Sequence, residues 1–528
     1  MSFLRYEGIL KRGDKDLLAK SITTTPPRAS DVAEPLDAEL PRPPAIVGTR
    51  GRRILWTVAL LALALRVFLL PIGHFWDITI DYNVFIDLAH NHSPYDTFNY
   101  LSQIARSARW DTAYEYYAYP PVPLYIYYPL AKLYTLLHPL ANYFIAESGS
   151  FAVPNLSLDF FFLLKLPIWI ADFLVAALLA RLSGTIRGFR DYLLNPYVLL
   201  VSGAWTFDAI MLLGLVAAVY ALHKGKMVHA GIALAFGTMV KFFPAIAVPT
   251  MVIFLIKKNR PLREIALFLG SYIVACLLFL GPFASGVIAV LTFHDNRPGG
   301  GMNWQSYWMA GALHQTTDIL RPTLDALSAF STPMLIIAML LTYWYIWQRE
   351  MSLNHMLIVT VLGFFIGSKL INEQYVLLIF PFVWLEAYRV GGAWRWFYRL
   401  FWIIPLGFAI FRVPIDRFFW LFYHAIFKDK AVITIVNGMT GFEWTMIPWK
   451  HIVFQQAIFV ALGFAFFVLA IVALLWPVRP IRRFRHHSVK APGNVQTGRE
   501  APVEKEHHQR SQVLPVHVNN AFSTSIDG

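Results

Sequence analysis

Residues 160–180 read FFFLLKLPIWIADFLVAALLA, and Lys165 and Asp172 are the only charged side chains among them. A helix needs about 20 apolar residues to cross the hydrocarbon core of a bilayer, so this stretch is long enough to span a membrane. Comparable runs occupy residues 54–72 and 454–476, with several shorter ones between them. The pattern predicts an all-α polytopic membrane protein rather than a set of soluble domains.

The composition points the same way. The chain has 528 residues, of which 57% are hydrophobic and 15% charged, and its mean hydropathy is +0.51. Its single cysteine, Cys276, excludes a disulfide framework. The net charge of +13 does not predict nucleic-acid binding, because Lys and Arg concentrate in short segments between apolar runs, as in the cytoplasmic loops of membrane proteins. Membrane lipids are therefore the expected partners.

The basic segments also predict the orientation. Arg50, Arg52 and Arg53 precede the first apolar run, which places its start in the cytoplasm. If every later basic segment is also cytoplasmic, consecutive segments must be separated by an even number of crossings. This parity excludes Pro120–Leu137 as a crossing helix and assigns it to the outer leaflet.

Twelve spans follow, in a plasma-membrane protein with both termini in the cytoplasm. They lie near 54–72, 160–180, 192–205, 207–223, 228–240, 242–256, 264–281, 331–347, 354–370, 374–388, 400–413 and 453–477. The expected outer loops are about 73–158, 283–330 and 413–452. Residues 1–53 and 478–528 are polar and lack apolar periodicity, which predicts disordered cytoplasmic tails around a transmembrane domain at 54–477.

Polar residues of chemical interest gather at the predicted outer ends of the spans. Charged side chains at membrane depth are costly and often functional. The candidates are Asp77, Asp81, Tyr119, Lys165, Asp208, Lys241, His294, Arg297, Lys369, Asn372, Glu373, Gln374 and Tyr375. Asp172 is the expected exception, because it lies deeper in its span and is predicted to make a structural polar contact between helices.

The residue types suggest a phosphate and a hydroxyl as ligands. Cations suit a phosphate anion, and a carboxylate can deprotonate a hydroxyl. Lys241 and Lys369 each lie beside an aromatic or amide group rather than an obvious acidic partner, so a bound phosphate is the expected counter-charge. Simpler interpretations stay open, since Asp81 could cap a helix and the two lysines could extend to the headgroups.

Several short motifs occur in a fixed order. They are IDYNVFID at 80–87, SPY at 93–95, YAYPP at 117–121, Lys165 with Asp172, LNP at 194–196 with Asp208, KFFP at 241–244 and KLINEQY at 369–375. With these motifs the chain resembles the GT-C class of membrane glycosyltransferases. Within that class it is most similar to the first mannosyltransferase of glycosylphosphatidylinositol anchor synthesis and to bacterial polyprenyl-phosphate mannosyltransferases.

The resemblance implies a bundle of about twelve transmembrane helices with a large first outer loop. It also implies inverting transfer of a hexose, mannose above all, from a polyprenyl-phosphate donor to a lipid-linked or glycan acceptor at the outer membrane face of the cell envelope. Asp81 matches the catalytic aspartate, and the phosphate would be held by Lys241, Lys369, Lys165 and Arg297. His294, Tyr119, Asp208 and the segment 372–375 would line the substrate cleft.

The chain departs from the family at one position. The anchor-synthesis enzymes carry an Asp-x-Asp pair where this chain has Thr79-Ile80-Asp81, and Asp77 could substitute for the missing carboxylate. The class implies no bound cofactor and no metal, and a divalent ion beside Asp77 and Asp81 stays an open alternative.

Two other functions fit a membrane protein of this kind. A lipid or glycolipid transporter (a flippase) would often show internal repeats and a site at the bilayer midplane. No repeat is evident, and the polar groups gather at one face. The third hypothesis is a non-catalytic subunit that binds a lipid or a glycan.

The topology can be tested by labelling single cysteines in a Cys276→Ser background. Cysteines replacing Arg187, Arg260 or Arg395 should resist a membrane-impermeant thiol reagent in intact cells, whereas those replacing Ser107 or Gly300 should react. Labelling at position 187 would show that Pro120–Leu137 crosses the membrane and would shift every later span.

Overall fold

The computed structural model describes residues 49–70, 78–95, 117, 119–141, 157–204, 207–284, 286, 290, 300–302, 330–412 and 449–476. Helices dominate this part of the chain. In its first half they are α1 (Thr49–Phe68), α2 (Ile78–Ala89), α3 (Val122–Leu137), α4 (Leu158–Ser183), α5 (Ile186–Leu193), α6 (Pro196–Ala204), α7 (Asp208–His223), α8 (Met227–Thr238), α9 (Ala247–Lys257) and α10 (Leu262–Leu280), with a 3-10 turn at Phe243–Ile246.

The second half continues the helical pattern and adds one pair of short strands. Its elements are a 3-10 turn (Gly281–Phe283), β1 (Gly300–Gly301), α11 (Ser331–Gln348), α12 (Leu353–Gly367), β2 (Leu370–Ile371), a 3-10 helix (Glu373–Leu378), α13 (Phe380–Arg389), α14 (Ala393–Arg412) and α15 (Trp449–Leu475). The predicted tails fall almost entirely outside the described residues. One boundary differs, because α1 already begins at Thr49 and so includes the arginines placed in the first tail.

Each predicted span overlaps helical segments, but the spans at 242–256 and 374–388 each combine a 3-10 segment with an α-helix, and the span at 192–205 is interrupted. The span at 192–205 is divided between α5 and α6, because the chain breaks at Leu194 and Asn195 and restarts with Pro196 as the first residue of a helix. Proline favours that position, since its missing N–H is not needed there. The nine residues of α6 cover only about 14 Å, less than the hydrocarbon core, so the number of twelve crossings stays a prediction.

The surface of the bundle is apolar, whereas charges are buried inside it. Within the described residues, two helices are long and apolar enough to cross a membrane, Leu158–Ser183 and Leu262–Phe283. The second has a mean hydropathy of 2.2, yet only 22% of its most apolar stretch is buried. On α11 the exposed side chains include Ile337, Leu341 and Trp344. A continuous apolar surface of this kind marks contact with lipid or protein rather than water.

Helix α3 begins and ends at the same end of the bundle. Its first residue, Val122, donates its N–H to the carbonyl of Met239 just after α8, at 2.9 Å. At the other end of α3, His138 contacts Asp159 in the first turn of α4. Charged residues near the start of α4 and of α7 and just after the end of α8 interact with one another, so these helix ends lie together. The assignment of Pro120–Leu137 as a segment without net crossing stays a prediction.

Deep in the bundle, Asp172 makes the structural contact expected of it, although its partner was not anticipated. Arg66 of α1 donates to the Asp172 carboxylate at 2.9 Å and to the carbonyl of Leu193 at 3.1 Å. The hydroxyl groups of Tyr192 and Ser202 also donate hydrogen bonds to the Asp172 carboxylate. The cluster joins α1, α4, α5 and α6 around the break in the chain. The expectation that Asp172 is the one deep charge was wrong, because Arg66 lies within the first apolar run and pairs with it.

Removing one partner of this pair should destabilise the fold. Arg66→Met leaves the Asp172 carboxylate buried without its cation, which typically costs about 3–5 kcal/mol. Thermal unfolding in detergent should show a clear loss, whereas the exposed control Arg181→Met should unfold close to the wild type. The double variant Arg66→Met/Asp172→Asn should recover part of the loss. Equal stability of Arg66→Met and Arg181→Met would contradict the structural role.

Candidate functional site

The α7–α8 hairpin brings two candidate residues together. A Cβ atom added to Gly214 would lie 2.5 Å from the backbone of Gly237, so only glycines allow the two helices to approach this closely. At the open end of the hairpin, Asp208 is the first residue of α7 and Lys241 follows α8. Their side chains form a buried ion pair with a distance of 2.8 Å between Nζ and Oδ2.

Two aromatic rings complete the surroundings of Lys241. The Nζ atom lies 5.2 Å from the ring centre of Tyr119 and 6.0 Å from that of Tyr375. A cation over an aromatic face is attracted by the ring quadrupole, so both rings stabilise the ammonium. The expectation that Lys241 relies on a bound phosphate for its counter-charge was wrong. Its counter-charge comes from Asp208 on another helix, which spacing along the sequence does not reveal.

Asp81 and Lys165 extend this charge cluster. Asp81 lies in the first turn of α2 and is only 3% exposed, and Lys165 in α4 is 1% exposed. The Lys165 ammonium interacts electrostatically with Asp81 and, more weakly, with Asp208. Next to Lys165, the carbonyl of Leu164 accepts a hydrogen bond of 2.8 Å from Tyr127, which fixes α3 against α4. The charged side chains of the cluster therefore alternate in sign, in the order Asp81, Lys165, Asp208 and Lys241.

Tyr117 lies beside this cluster and remains a neutral hydroxyl. Burial, the neighbouring Tyr95 and Tyr119 and the carboxylate of Asp81 raise the pKa of Tyr117 well above its usual value. Its hydroxyl donates to the carbonyl of Pro120 at 3.2 Å. Tyr117 and Tyr119 of the YAYPP motif thus place buried or half-buried aromatic rings beside the charge cluster.

The KLINEQY segment at 369–375 also contributes residues to the surroundings of the charge cluster. Tyr375 packs on Phe243 with 4.3 Å between ring centres, and Tyr197 of α6 donates its hydroxyl to the carbonyl of Glu373 at 2.7 Å. Glu373, Asn372 and Gln374 are buried. Lys369, on the turn before them, is half-buried and so the most accessible lysine of the set.

A strand pair connects this segment to Gly300 and Gly301, which follow α10 in the chain. Gly300 and Gly301 pair in parallel with Leu370 and Ile371, and Met302 donates its N–H to the carbonyl of Ile371. The fold is therefore not purely helical, and the deviation lies at the candidate site. Short strands beside Gly residues gave no recognisable signal in the sequence.

The backbone is strained directly before Asp208. Phe207 has a φ of +69°, in the left-handed region that a bulky residue rarely adopts. Its ring packs against Tyr119 and Tyr127, with centres 5.0 and 5.6 Å apart. Strain of this kind often marks functional sites. The sequence WTFD at 205–208 does not predict the left-handed conformation of Phe207.

The structure thus gathers most of the predicted site residues at one end of the bundle. Asp81, Tyr119, Lys165, Asp208, Lys241, Glu373 and Tyr375 are linked by the contacts above, and Asn372, Gln374 and Lys369 lie on the same segment as Glu373. Asp77, His294 and Arg297 lie outside the described residues. Tyr197 and Phe207 are additional members that the sequence analysis did not assign.

The comparison with known families gives one match. Residues 189–304 match the family model described as GPI transamidase subunit PIG-U. The matched stretch includes Asp208 and Lys241, whereas Asp81, Lys165 and the KLINEQY segment lie outside it. No curated protein matches the chain.

Fold and match together define the class as an α-helical membrane protein. Over residues 189–304 the chain is similar to a subunit of the GPI transamidase. The description of that family names no mannosyltransferase. The sugar transfer expected from the motifs is therefore a proposal rather than a finding.

Proposed function

We propose that this protein is a membrane glycosyltransferase that transfers a hexose, mannose in the first instance, from a polyprenyl-phosphate donor to a lipid-linked or glycan acceptor. The observation that supports it best is the buried cluster in which Asp81, Lys165, Asp208 and Lys241 meet at one end of an apolar bundle. Buried charges in a membrane protein are costly, and a site that handles a charged lipid justifies that cost.

Asp81 would act as the general base. It would take the proton of the acceptor hydroxyl while that oxygen attacks the anomeric carbon of the donor sugar. The bond from this carbon to the phosphate oxygen breaks, and its electron pair leaves with the phosphate. Because the lipid phosphate is already a good leaving group, one carboxylate suffices. Hydrolysis of an ordinary glycoside would need two.

The lysines would stabilise the charge that develops on the leaving phosphate. Lys241 and Lys369 would contact it, with Lys165 behind them and Arg297 as a further candidate cation. Tyr119, Asn372, Gln374 and the other polar residues of the KLINEQY segment, with His294, would line the sugar or acceptor cleft. The reaction requires no cofactor, and a divalent ion beside Asp77 and Asp81 would be an addition to this scheme.

A non-catalytic subunit that binds a glycolipid is the second candidate, and the family match favours it. The same charge cluster would then hold a phosphate-bearing lipid without chemistry. A flippase is the third candidate, in which the lipid moves across the membrane unchanged. The three functions differ in whether a new glycoside forms and in whether labelled lipid changes leaflet.

Asp81→Asn tests the assignment of the base. The amide keeps the size of the side chain but removes its proton affinity, and general bases typically contribute about 10²–10⁴-fold in rate. Turnover with a polyprenyl-phosphate sugar and a lipid extract should fall by that order, while Asp87→Asn on the same helix should have a milder effect. Both variants must insert and melt like the wild type. Near-normal turnover in Asp81→Asn would exclude this residue as the base.

Lys369→Met separates an enzyme from a transporter. The leaving phosphate gains charge in the transition state, so the lysine should affect turnover more than the Michaelis constant of the donor. The control Lys257→Met, whose ammonium contacts the carbonyl of Arg349 away from the site, should leave both unchanged. The transferase proposal would be contradicted if labelled lipid were transported without formation of any glycoside, and if Lys369→Met changed only the rate of that transport.

A further inference from the structure

The phosphate-binding role of Lys241 meets a physical difficulty, because an anion is already bound to it. Asp208 contacts Lys241 at 2.8 Å, and the side chains of Asp208 and Lys241 are only 1% and 6% exposed. A phosphate that approached this lysine would come close to the Asp208 carboxylate. In a medium of low polarity, two anions at such a distance repel each other strongly. An incoming phosphate would therefore compete with the carboxylate for the Lys241 ammonium.

The charges of the cluster already balance without a ligand. Among the described residues, two carboxylates and two ammonium groups interact in it: Asp81, Asp208, Lys165 and Lys241. Tyr197 interacts electrostatically with both Asp208 and Glu373, which places these two acids in one neighbourhood. An added phosphate would leave an excess of negative charge around Lys241 unless a carboxylate moved away.

Asp208 has two other sources of stabilisation once it leaves Lys241. Lys165 already interacts with Asp208 as well as with Asp81. Asp208 is also the first residue of the 16-residue helix α7, and the positive end of a helix dipole favours a carboxylate there. The residue before Asp208, Phe207, has a φ of +69°, so the backbone that carries the carboxylate is strained.

We propose that the Asp208–Lys241 pair is an anion-exchange site, in which the phosphate of a lipid replaces Asp208 on Lys241 and Asp208 turns to Lys165 and the α7 N-terminus. No covalent bond changes in this step. The rings of Tyr119 and Tyr375 keep the Lys241 ammonium in place during the exchange. Asp208 thereby competes with the ligand, and it releases Lys241 only to an anion that binds more strongly. The inference rests on the proposed function solely in taking a lipid phosphate as the ligand.

The test measures binding of short-chain polyprenyl phosphate to the full chain in nanodiscs of phosphatidylcholine. Asp208→Asn removes the competing charge, so affinity should rise about tenfold, within the usual range for coupled sites. Lys241→Met removes the cation, so affinity should fall by a similar factor. The double variant should bind like Lys241→Met, because Asp208 acts through that lysine. Asp191→Asn and Lys257→Met, both away from the cluster, serve as matched controls.

Three outcomes would overturn the exchange. They are weaker binding by Asp208→Asn, unchanged binding by Asp208→Asn, or a gain from Asp208→Asn that persists in the double variant. If neither Asp208→Asn nor Asp208→Ser folds, infrared difference spectra of the wild type with labelled aspartate provide the test. The lipid phosphate should shift an aspartate carboxylate band in the wild type but not in Lys241→Met. No shift in the wild type would contradict the proposal.

Additional probes identify the ligand and separate this inference from the proposed enzyme. Uncharged polyprenol should bind weakly, and inorganic phosphate should not compete if the ligand is a lipid. If inorganic phosphate binds as tightly as polyprenyl phosphate, and Asp208→Asn increases its affinity by the same factor, the exchange is supported and the ligand is a free anion rather than a lipid. If Asp208→Asn shows the expected gain in binding but no sugar is transferred, the proposed enzyme is overturned and the exchange stands. If sugar is transferred but Asp208→Asn binds the lipid phosphate like the wild type, the exchange is overturned and the enzyme stands.

Discussion

The buried ion pair between Asp208 and Lys241 is the interaction on which the candidate site depends. The two residues stand at the open end of a hairpin whose helices touch at Gly214 and Gly237, and this close contact sets the distance between them. Neither Asp208 nor Lys241 would be stable in its charged form at this buried position without the other, because burial of an unpaired ion costs several kcal/mol. The Lys241 ammonium lies near the rings of Tyr119 and Tyr375, and Asp208 interacts electrostatically with Lys165. The site is thus assembled from charges that compensate one another before any ligand arrives.

The second buried pair, Arg66 with Asp172, has a different task. It lies at the break between α5 and α6, where Arg66 also satisfies the Leu193 carbonyl that the interrupted helix leaves without an intrahelical donor. The short helix α6 that follows carries Tyr197 to the Glu373 carbonyl. The Arg66–Asp172 pair thus holds the scaffold, whereas the Asp208–Lys241 pair belongs to the site for which ligand binding is proposed.

The sequence predicted the candidate residues better than it predicted their partners. Lys165, Asp208 and Lys241 stood out because charges within apolar runs are rare, and the parity of basic loops assigned them to one end. Their pairing was not accessible, because it depends on how three helices pack. Arg66 was overlooked because a single arginine near the end of a span is usually assigned to the headgroup region. The left-handed Phe207 and the pairing of Gly300 with Leu370 arise from tertiary constraints that local propensity does not encode.

The central claim is that this charge cluster supports transfer of a sugar from a lipid phosphate. The most direct measurement places the purified full chain in liposomes with synthetic short-chain polyprenyl-phosphate-mannose, labelled in the sugar, and a lipid extract as the source of acceptors. The account predicts a new labelled glycolipid together with release of polyprenyl phosphate in equal amounts. Binding or movement of the intact donor, with no labelled product across several acceptor sources, would contradict it and leave a lipid-binding subunit or a transporter in its place.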